Sequence, residues 1–395
     1  MSGATARSDG RQVAAAAGAD DAPRVTRLVL QEFRSYPDLD LQVTRGIVAL
    51  TGENGAGKTN LVEALSLLSP GRGLRRAELG DMVRLGASRF AVSVVLEAAG
   101  SEHRLGSGAE PSAAGEGRLS RVCRLDGLDV SSTVFAEHLR TVWLTPDLDG
   151  LFRAPPGDRR RFLDRLVLAV DARHAARVTA LERALRSRNR LLEEGGASAW
   201  LDAVERELAE LAVAVTAARR ETALRLDAAM LAVADDGSPF PFGRLALSGE
   251  FEALCDGLAA VDAEDAYKLR LRDARPRDGA AARTLLGPQC DDLLVRHGPK
   301  DLPADTCSTG EQKALLLRLV LAHAGLVRDM SGIAPLVLLD EVAAHLDPRR
   351  RDALWNELRG LGGQVWMTGA DPVLFDGLGD RADLVRVTPG RAERL

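Results

Sequence analysis

One stretch of the chain has residue types and spacing that point directly at phosphate chemistry. Gly52-Glu53-Asn54-Gly55-Ala56-Gly57-Lys58-Thr59 matches G-x-x-x-x-G-K-[ST] at every fixed position. Glycines there let backbone N–H groups close around phosphate oxygens, and a helix starting behind them adds positive potential. Lys58 has the reach for β- and γ-phosphates, and the Thr59 hydroxyl suits a Mg²⁺ shell. Pro335-Leu-Val-Leu-Leu-Asp340-Glu341 is an apolar run ending in two carboxylates. Asp340 is suited to hold the Mg²⁺ water shell and Glu341 to polarise an attacking water; Asp340 alone would equally suit a helix N-cap. Ser308-Thr-Gly310-Glu311-Gln312-Lys313 opens an apolar helical run. Ser and Gly at a helix N-terminus make an anion site, and Ser308 with Glu311 also reads as a plain capping box.

These residues need a scaffold. Residues 25–30, 39–43 and 47–51 are short β-rich runs separated by turn residues, and the third leads straight into the glycine loop. Residues 60–68 read as a helix with Leu61, Ala64, Leu65 and Leu68 on one face. Further strands are expected at 90–96, 122–125 and 142–144, and a Gly/Ser/Ala-rich loop at 107–117. Residues 155–233 lose the strand signal. Residues 159–192 read as a basic helix, with 11 Arg against 4 acidic residues over 153–190. Leu201, Val204, Leu208, Leu211 and Val215 follow a two-heptad seam. Residues 193–265 are acidic, 16 against 5. This charge-polarised insert is either a pair of packed helices with solvated faces or a basic face for DNA phosphate.

From Leu285 the strand–helix alternation returns, with strands at 336–340, 364–368 and 384–387. The expected fold is α/β, a sheet covered by helices. It is discontinuous, with residues 25–150 and 270–395 forming one domain around a helical insert at 151–269. Residues 1–24 lack periodicity and are expected to be a disordered leader; 14–17 is too short for a signal-peptide core, and Asp20 and Asp21 suit neither secretion nor transit.

Of 395 residues, 52 are basic, 57 acidic and 46% hydrophobic, for a formal charge of −5. A sizeable core is available and wholesale disorder is excluded. No window approaches the ~18 apolar residues of a membrane span; the best candidate, 314–327, is broken by Arg318 and His323. Cys123, Cys255, Cys290 and Cys307 are scattered without a CxxC pair, so neither a disulfide framework nor a Cys-based zinc site is indicated, which fits a reducing cytosol. Only four basic residues are lysine, and Lys58 and Lys313 fall inside the motifs above. The acidic balance argues against a uniformly basic nucleic-acid coat but not against a local patch.

The order glycine loop, Ser-x-Gly-Glu-Gln, strand-Asp-Glu resembles the ATP-binding-cassette ATPases, whose signature peptide contacts the γ-phosphate held by a second copy. Asp347 matches their D-loop aspartate. Phe33-Arg34-Ser35-Tyr36, with the glycine loop extended to Asn60, is similar to the SMC-like branch of that superfamily. Ser69-Pro-Gly-Arg-Gly-Leu-Arg75, Thr145-Pro-Asp147, Arg159-Arg-Arg-Phe-Leu-Asp164, Gly287-Pro288 and Asp291-Asp292 narrow the resemblance to the RecF family of bacterial DNA repair proteins, from about residue 24 onward.

That resemblance implies a P-loop ATPase head with an inserted helical subdomain, cytoplasmic and nucleoid-associated. It implies ATP and Mg²⁺ as cofactors, slow hydrolysis, and action at single-strand gaps and stalled forks with RecO and RecR to help load RecA. It further implies ATP contacts from Arg34 and from Gly52 through Asn60, catalytic roles for Lys58 and Glu341, and Mg²⁺ at Thr59 and Asp340. ATP would sit between one glycine loop and the Ser308, Gly310, Glu311 and Gln312 of a second copy in an ATP-dependent homodimer. The chain departs from the patterns at Gln289 and Cys290, where the family often shows His-Arg, and at Thr368-Gly369, where transporter-type cassettes carry a switch His.

For DNA the candidates are Arg72, Arg75 and Arg76, and Arg159, Arg160 and Arg161, because the guanidinium fork matches phosphate. Ordinary salt bridges are the alternative. Phosphate contact gives sequence-independent, salt-sensitive affinity. Aromatics are only 4%, so no stacking platform for single strands is indicated and gapped or junction duplex is expected. A transporter ATPase would carry a much shorter stretch than the 256 residues between Gly52 and Ser308. A structural SMC head would need far longer heptad arrays than residues 201–215.

Overall fold

The computed structural model describes residues 22–112, 118–234 and 236–395. Strands β1 (Arg24–Phe33) and β2 (Tyr36–Gln42) form a hairpin, and β3 (Ile47–Thr51) leads through the glycine loop into α1 (Lys58–Ser66). After the short α2 (Leu79–Met82) come β4 (Phe90–Ala98), β5 (Ser101–Pro111), β6 (Leu119–Leu125), β7 (Leu128–Asp129) and β8 (Thr141–Leu144). Then follow α3 (Pro156–Val170), α4 (His174–Glu193), α5 (Ser198–Ala232), β9 (Gly243–Ser248), α6 (Glu250–Leu254), α7 (Ala260–Asp273), α8 (Arg275–Ala280), β10 (Asp292–His297) and β11 (Leu302–Pro303). Last come α9 (Thr309–Ser331), β12 (Leu336–Leu339), α10 (Pro348–Gly360), β13 (Val365–Gly369), β14 (Ala382–Thr388) and β15 (Arg391–Arg394).

The site rests on a sheet of order β15-β14-β3-β13-β12-β8, in which every neighbouring pair except β14–β15 is parallel. Strands from the two ends of the chain interleave here. All residues of β3, β12, β13 and β8 are buried, as expected of parallel strands covered on both faces. On one face Val48, Leu50, Leu338 and Trp366 pack with α1 against an antiparallel sheet, β2-β1-β4-β5-β6-β7. On the other, Ile47, Ala49, Val337 and Met367 pack with α3, α9 and α10. The two polar residues that interrupt the apolar α9 run are partly paired: Arg318 pairs with Asp236 and Glu357, and the His323 Nε2 lies 3.0 Å from the Leu166 carbonyl, while the Arg318 Nε and His323 Nδ1 are buried without a hydrogen-bond partner among the described residues.

Three sequence expectations need correction. Residues 107–111 belong to β5, with Ser107 opposite Cys123; the glycine there serves close packing, since a Cβ on Gly108 would stand 2.6 Å from the Phe90 carbonyl oxygen. Residues 113–117 of that expected loop, and residues 1–21 of the expected leader, lie outside the described residues. The single helix expected over 159–192 breaks at Asp171, whose carboxylate accepts from the Arg173 N–H at 3.0 Å. The span 151–269 is not purely helical: it contains β9, which pairs with β10. Within that span α3 and the end of α5 join the sheet's core, while α4, the first part of α5 and α7 share a separate core around Leu208, Ala212, Phe251 and Tyr267.

Several of the sequence motifs named above meet where this helical arm joins the sheet. Arg159 makes a two-pronged pair with Asp292, and the Arg160 Nη1 donates to the Asp291 carbonyl at 2.7 Å. Asp164 accepts from the Arg219 Nε and Nη2 at 2.7 and 2.8 Å and meets the His174 Nε2 at 2.8 Å. The Arg219 Nη1 also donates to the Pro288 carbonyl at 2.7 Å. Burial alone would raise the Asp164 carboxyl, but His174 and Arg219 outweigh it and hold it down to about 2. A depressed carboxyl stabilises the fold above its unfolded value of ~3.9 and loses that contribution as pH falls toward the folded value. Asp164→Asn should cost about 3–5 kcal/mol at neutral pH, as for removing one partner of a buried pair. In urea titrations the gap from wild type should be widest above pH 5 and narrow toward pH 2; a pH-independent gap would contradict this assignment.

Candidate functional site

The glycine loop is braced from beside by the β1–β2 turn. Gly52 has φ +149°, and a Cβ there would stand 2.2 Å from the Val387 carbonyl oxygen of β14, so the sheet itself demands glycine. Gly57, the N-cap of α1, has φ +110°, and a Cβ would meet the Ser35 and Tyr36 hydroxyls at 2.9 Å. The Tyr36 hydroxyl donates to the Gly57 carbonyl at 3.1 Å, and the Asn60 Nδ2 donates to the Ser35 hydroxyl at 3.0 Å. Burial pushes the Tyr36 hydroxyl upward, so it stays a protonated donor. The Phe33-Arg-Ser-Tyr36 turn thus props the loop, a role that its spacing in sequence did not reveal. Lys58 is buried, and its Nζ lies across the loop, donating to the Gly52 and Glu53 carbonyls at 2.7 and 2.9 Å.

At the carboxyl end of β12 the Thr59 hydroxyl donates to Asp340, 3.0 Å from each carboxylate oxygen. The Thr368 hydroxyl donates to the Asp340 Oδ1 at 2.7 Å and accepts from the Glu341 N–H at 2.9 Å. Burial pushes the Asp340 carboxyl upward, Thr368 and Thr59 pull it back, and Glu341 adds to the rise. Glu341 has φ +55°, a strained position worth of order 1–3 kcal/mol, which the Thr368 hydroxyl helps to fix. It lines a small cavity with Asp340, Thr145, Asp149 and Lys313. Hydroxyl and carboxylate oxygens are the hard donors that Mg²⁺ takes, and among the described residues no group of three or more His, Cys, Asp or Glu forms a fuller metal cage. So sparse a set fits Mg²⁺, which uses one or two protein ligands beside phosphate oxygens and water.

Other expected site residues are placed differently. Arg34, expected at the nucleotide, gives its Nε and Nη2 to buried Glu63 at 2.9 and 2.6 Å and its Nη1 to the Asp81 carbonyl at 2.6 Å. It clamps α1, and Arg75 shares the same carboxylate at 3.2 Å. Of the six arginines expected at DNA, Arg72 pairs with Glu78 and Arg161 with Asp158, while Arg159 and Arg160 belong to the joint. Among the described residues, Arg76 alone of the six is exposed with no side-chain hydrogen bond or ion pair. Gln289 folds back onto the Thr284 and Leu286 carbonyls at 3.2 and 3.3 Å, and the Cys290 Sγ meets the Leu285 carbonyl at 3.3 Å.

The signature segment is rigid and open. Ser308 is the N-cap of α9 in a complete capping box with Glu311, so the structural alternative for this pair is realised. Lys300 pairs with Glu311 at 2.5 Å and, with Ser308, holds its carboxyl down to about 2. Ser308 and Gly310 are exposed, and nothing lies within 4 Å of a Cβ built on Gly310. Gln312, expected to face a second copy, is turned inward instead: only 2% exposed, it donates to the Asp305 and Cys307 carbonyls at 3.2 and 2.8 Å. Arg153 grips the same two carbonyls at 3.0 and 2.8 Å. No spacing in the sequence marked Arg153. Asp347 caps α10, accepting from the Arg350 N–H at 2.9 Å. Lys313 pairs with Asp149 at 2.7 Å, tying the signature helix to the Thr145-Pro-Asp segment.

The RecF/RecN/SMC N terminal domain family matches residues 24–388. The DNA replication and repair protein RecF of Rhizobium meliloti (strain 1021) is 49% identical over 369 residues, covering 93% of this chain and 98% of that protein. That of Brucella suis biovar 1 (strain 1330) is 48% identical over 374 residues, covering 94% and 96%. Among solved structures, the recombination mediator protein RecF-ATPrS of the RecFOR pathway has a TM-score of 0.82 at 22% identity, covering 95% of this chain and 99% of that one. The Pyrococcus furiosus Smc head domain bound to the C-terminal domain of ScpA has a TM-score of 0.52 at 17% identity, covering 94% and 96%. With a glycine loop, a strand-end Asp-Glu pair and an exposed signature on one SMC-like head, the chain belongs to the RecF family of DNA replication and repair proteins.

Proposed function

We propose that the chain is an ATP-dependent DNA-binding ATPase of replication and recombinational repair, in which ATP closes two copies head to head on gapped or junction DNA. The contact set Thr59–Asp340–Thr368 carries the proposal: a loop hydroxyl and a strand-end carboxylate, 281 residues apart in the chain, meet at 3.0 Å beside a loop shaped for phosphate. In this reading the backbone N–H groups of residues 52–59 bind the β- and γ-phosphates, and Lys58 neutralises them. Thr59 and Asp340 hold Mg²⁺, which supplies further positive charge to the phosphate oxygens. The Glu341 carboxylate takes a proton from the water that attacks the γ-phosphorus, and Thr368 keeps that carboxylate and Asp340 in register. Products are ADP and phosphate, and their loss reopens the dimer. Ser308 and Gly310 present an exposed helix N-terminus to the γ-phosphate of a second copy, with Asp347 beside the interface.

The discontinuous head, residues 25–150 and 270–395, and the arm within 151–269 are part of this proposal. So are Arg76 as the free phosphate contact, RecO and RecR as partners, RecA as the indirect beneficiary, and a nucleoid-associated place in the cytoplasm. No helix among the described residues is long and apolar enough to cross a membrane. The longest helix among the described residues, α5 of 35 residues, is too short for the long coiled coil of a structural SMC protein.

Two variants separate the parts of the mechanism. Thr368→Val removes both hydroxyl bonds at little change in volume. Nucleotide affinity should stay within a few-fold while steady-state ATP turnover falls at least about tenfold, or ~1.4 kcal/mol of barrier; unchanged turnover would remove Thr368 from the mechanism. Ser308→Arg puts a bulky cation where the second copy's nucleotide docks. Light scattering should then find monomers with ATP, and nucleotide binding by each monomer should persist. A dimer that still forms with ATP would contradict the shared-nucleotide arrangement.

A further inference from the structure

A carboxylate stands on the face that the proposed arrangement offers to a triphosphate. Glu311 lies in the first turn of α9, and both of its oxygens are engaged. Its Oε2 accepts from the Ser308 N–H at 3.1 Å and from the Ser308 hydroxyl at 2.9 Å. Its Oε1 meets the Lys300 Nζ at 2.5 Å. The Thr309 and Gly310 N–H groups of the same turn have no intrahelical partner, and such a helix end favours an anion. An ionised carboxylate beside them opposes that preference, and Lys300 and Ser308 keep Glu311 ionised well below neutral pH, at about 2. The net charge of the signature end therefore turns on Lys300. With it the carboxylate is compensated; without it a negative charge faces an incoming ligand of the same sign.

Lys300 is placed for this by its own turn. The turn Gly298–Lys300 follows β10, and the Lys300 N–H donates to the Nδ1 of buried His297 at 3.3 Å. Burial lowers the His297 imidazolium below its ordinary range, which keeps the ring neutral and its Nδ1 an acceptor. A Cβ on Gly298 would stand 2.2 Å from the Phe242 ring, so the turn is seated on that ring. The Lys300 and Glu311 side chains are 49% and 26% exposed. A pair so exposed adds little to stability. Its charge counts for more once a second copy covers the turn and displaces water, because the effective dielectric falls.

We propose that Lys300 is a positioning residue of the signature: by compensating Glu311 it lets the N-terminus of α9 accept the γ-phosphate held by a second copy. This rests on the shared-nucleotide arrangement proposed above. The full chain is followed by sedimentation velocity at several protein concentrations, with Mg²⁺ and a slowly hydrolysed ATP analogue. Lys300→Met should raise the dimer dissociation constant about tenfold, while nucleotide binding by the monomer and the melting temperature stay near wild type. Added salt should narrow the gap. Glu311→Gln keeps an acceptor for Ser308 but carries no charge, so its dimer should be at least as tight as that of wild type. Adding Glu311→Gln to Lys300→Met, or using Lys300→Arg in its place, should return the dimer to within a few-fold of wild type. A pair that merely braces the turn gives the opposite sign for Glu311→Gln: both single variants weaken the dimer and the double variant does not recover. That pattern, or a Lys300→Met dimer as tight as wild type, would overturn the proposal and leave the shared-nucleotide arrangement standing. A wild-type chain that stays monomeric with the analogue would overturn both.

Discussion

Asp340 is a carboxylate that the fold buries and then must satisfy. Burial disfavours its charge, and two hydroxyls offset that penalty: Thr59 from the start of α1 and Thr368 from β13. The three residues lie far apart in the chain, so they meet only if β3, β13 and β12 are neighbours in one parallel sheet. That requirement brings strands from both ends of the chain into one sheet. The first half supplies β3 and the glycine loop, and the last third supplies the acidic strand end and the hydroxyl that joins it to the loop. A head that lost this adjacency would keep the glycine loop but lose the carboxylate that accepts from Thr59 and Thr368.

The remaining structure serves two tasks around that centre. One is to hold the loop open. Tyr36 and Ser35 brace it from the first hairpin, while Arg34 and Arg75 neutralise Glu63 one turn further along α1. The other is to present a second face. Arg153 and Gln312 grip the two carbonyls before α9, so Ser308 and Gly310 emerge from a fixed turn. Lys313 and Asp149 link that helix to the segment leaving β8, which borders the cavity of Glu341. The signature helix and the Glu341 cavity are therefore connected within the one chain.

The glycine loop and the strand ending in Asp340-Glu341 were legible in the sequence because phosphate and metal chemistry fix both residue type and short-range spacing. The α/β class followed from strand runs around them. What stayed hidden depends on long-range contact. Tyr36 touches Gly57 across 21 residues and Thr368 touches Asp340 across 28; neither spacing has a local signal. Arg34, Arg159 and Arg160 were read as ligand-facing because an arginine announces its charge but not its partner, and Glu63, Asp292 and the Asp291 carbonyl claim them in the fold. Gln312 was assigned to the open face by position in its motif, yet its helix turns it inward. Strand β9 escaped notice because its alternation spans only six residues, Gly243–Ser248, of which Gly243 and Leu245 are buried, inside an acidic stretch.

The central claim is that ATP, bound at the glycine loop beside Asp340 and Glu341, closes a pair of heads around DNA phosphate. It is tested most directly with Glu341→Gln, which retains the loop, Asp340 and Thr368 while removing the proton acceptor. Its binding to a gapped duplex should be measured with and without ATP at two salt concentrations. ATP-dependent binding that weakens as salt rises, as expected when phosphate contacts release counterions, is the predicted result. Binding that is equally strong without ATP, or that does not respond to salt, would contradict the account.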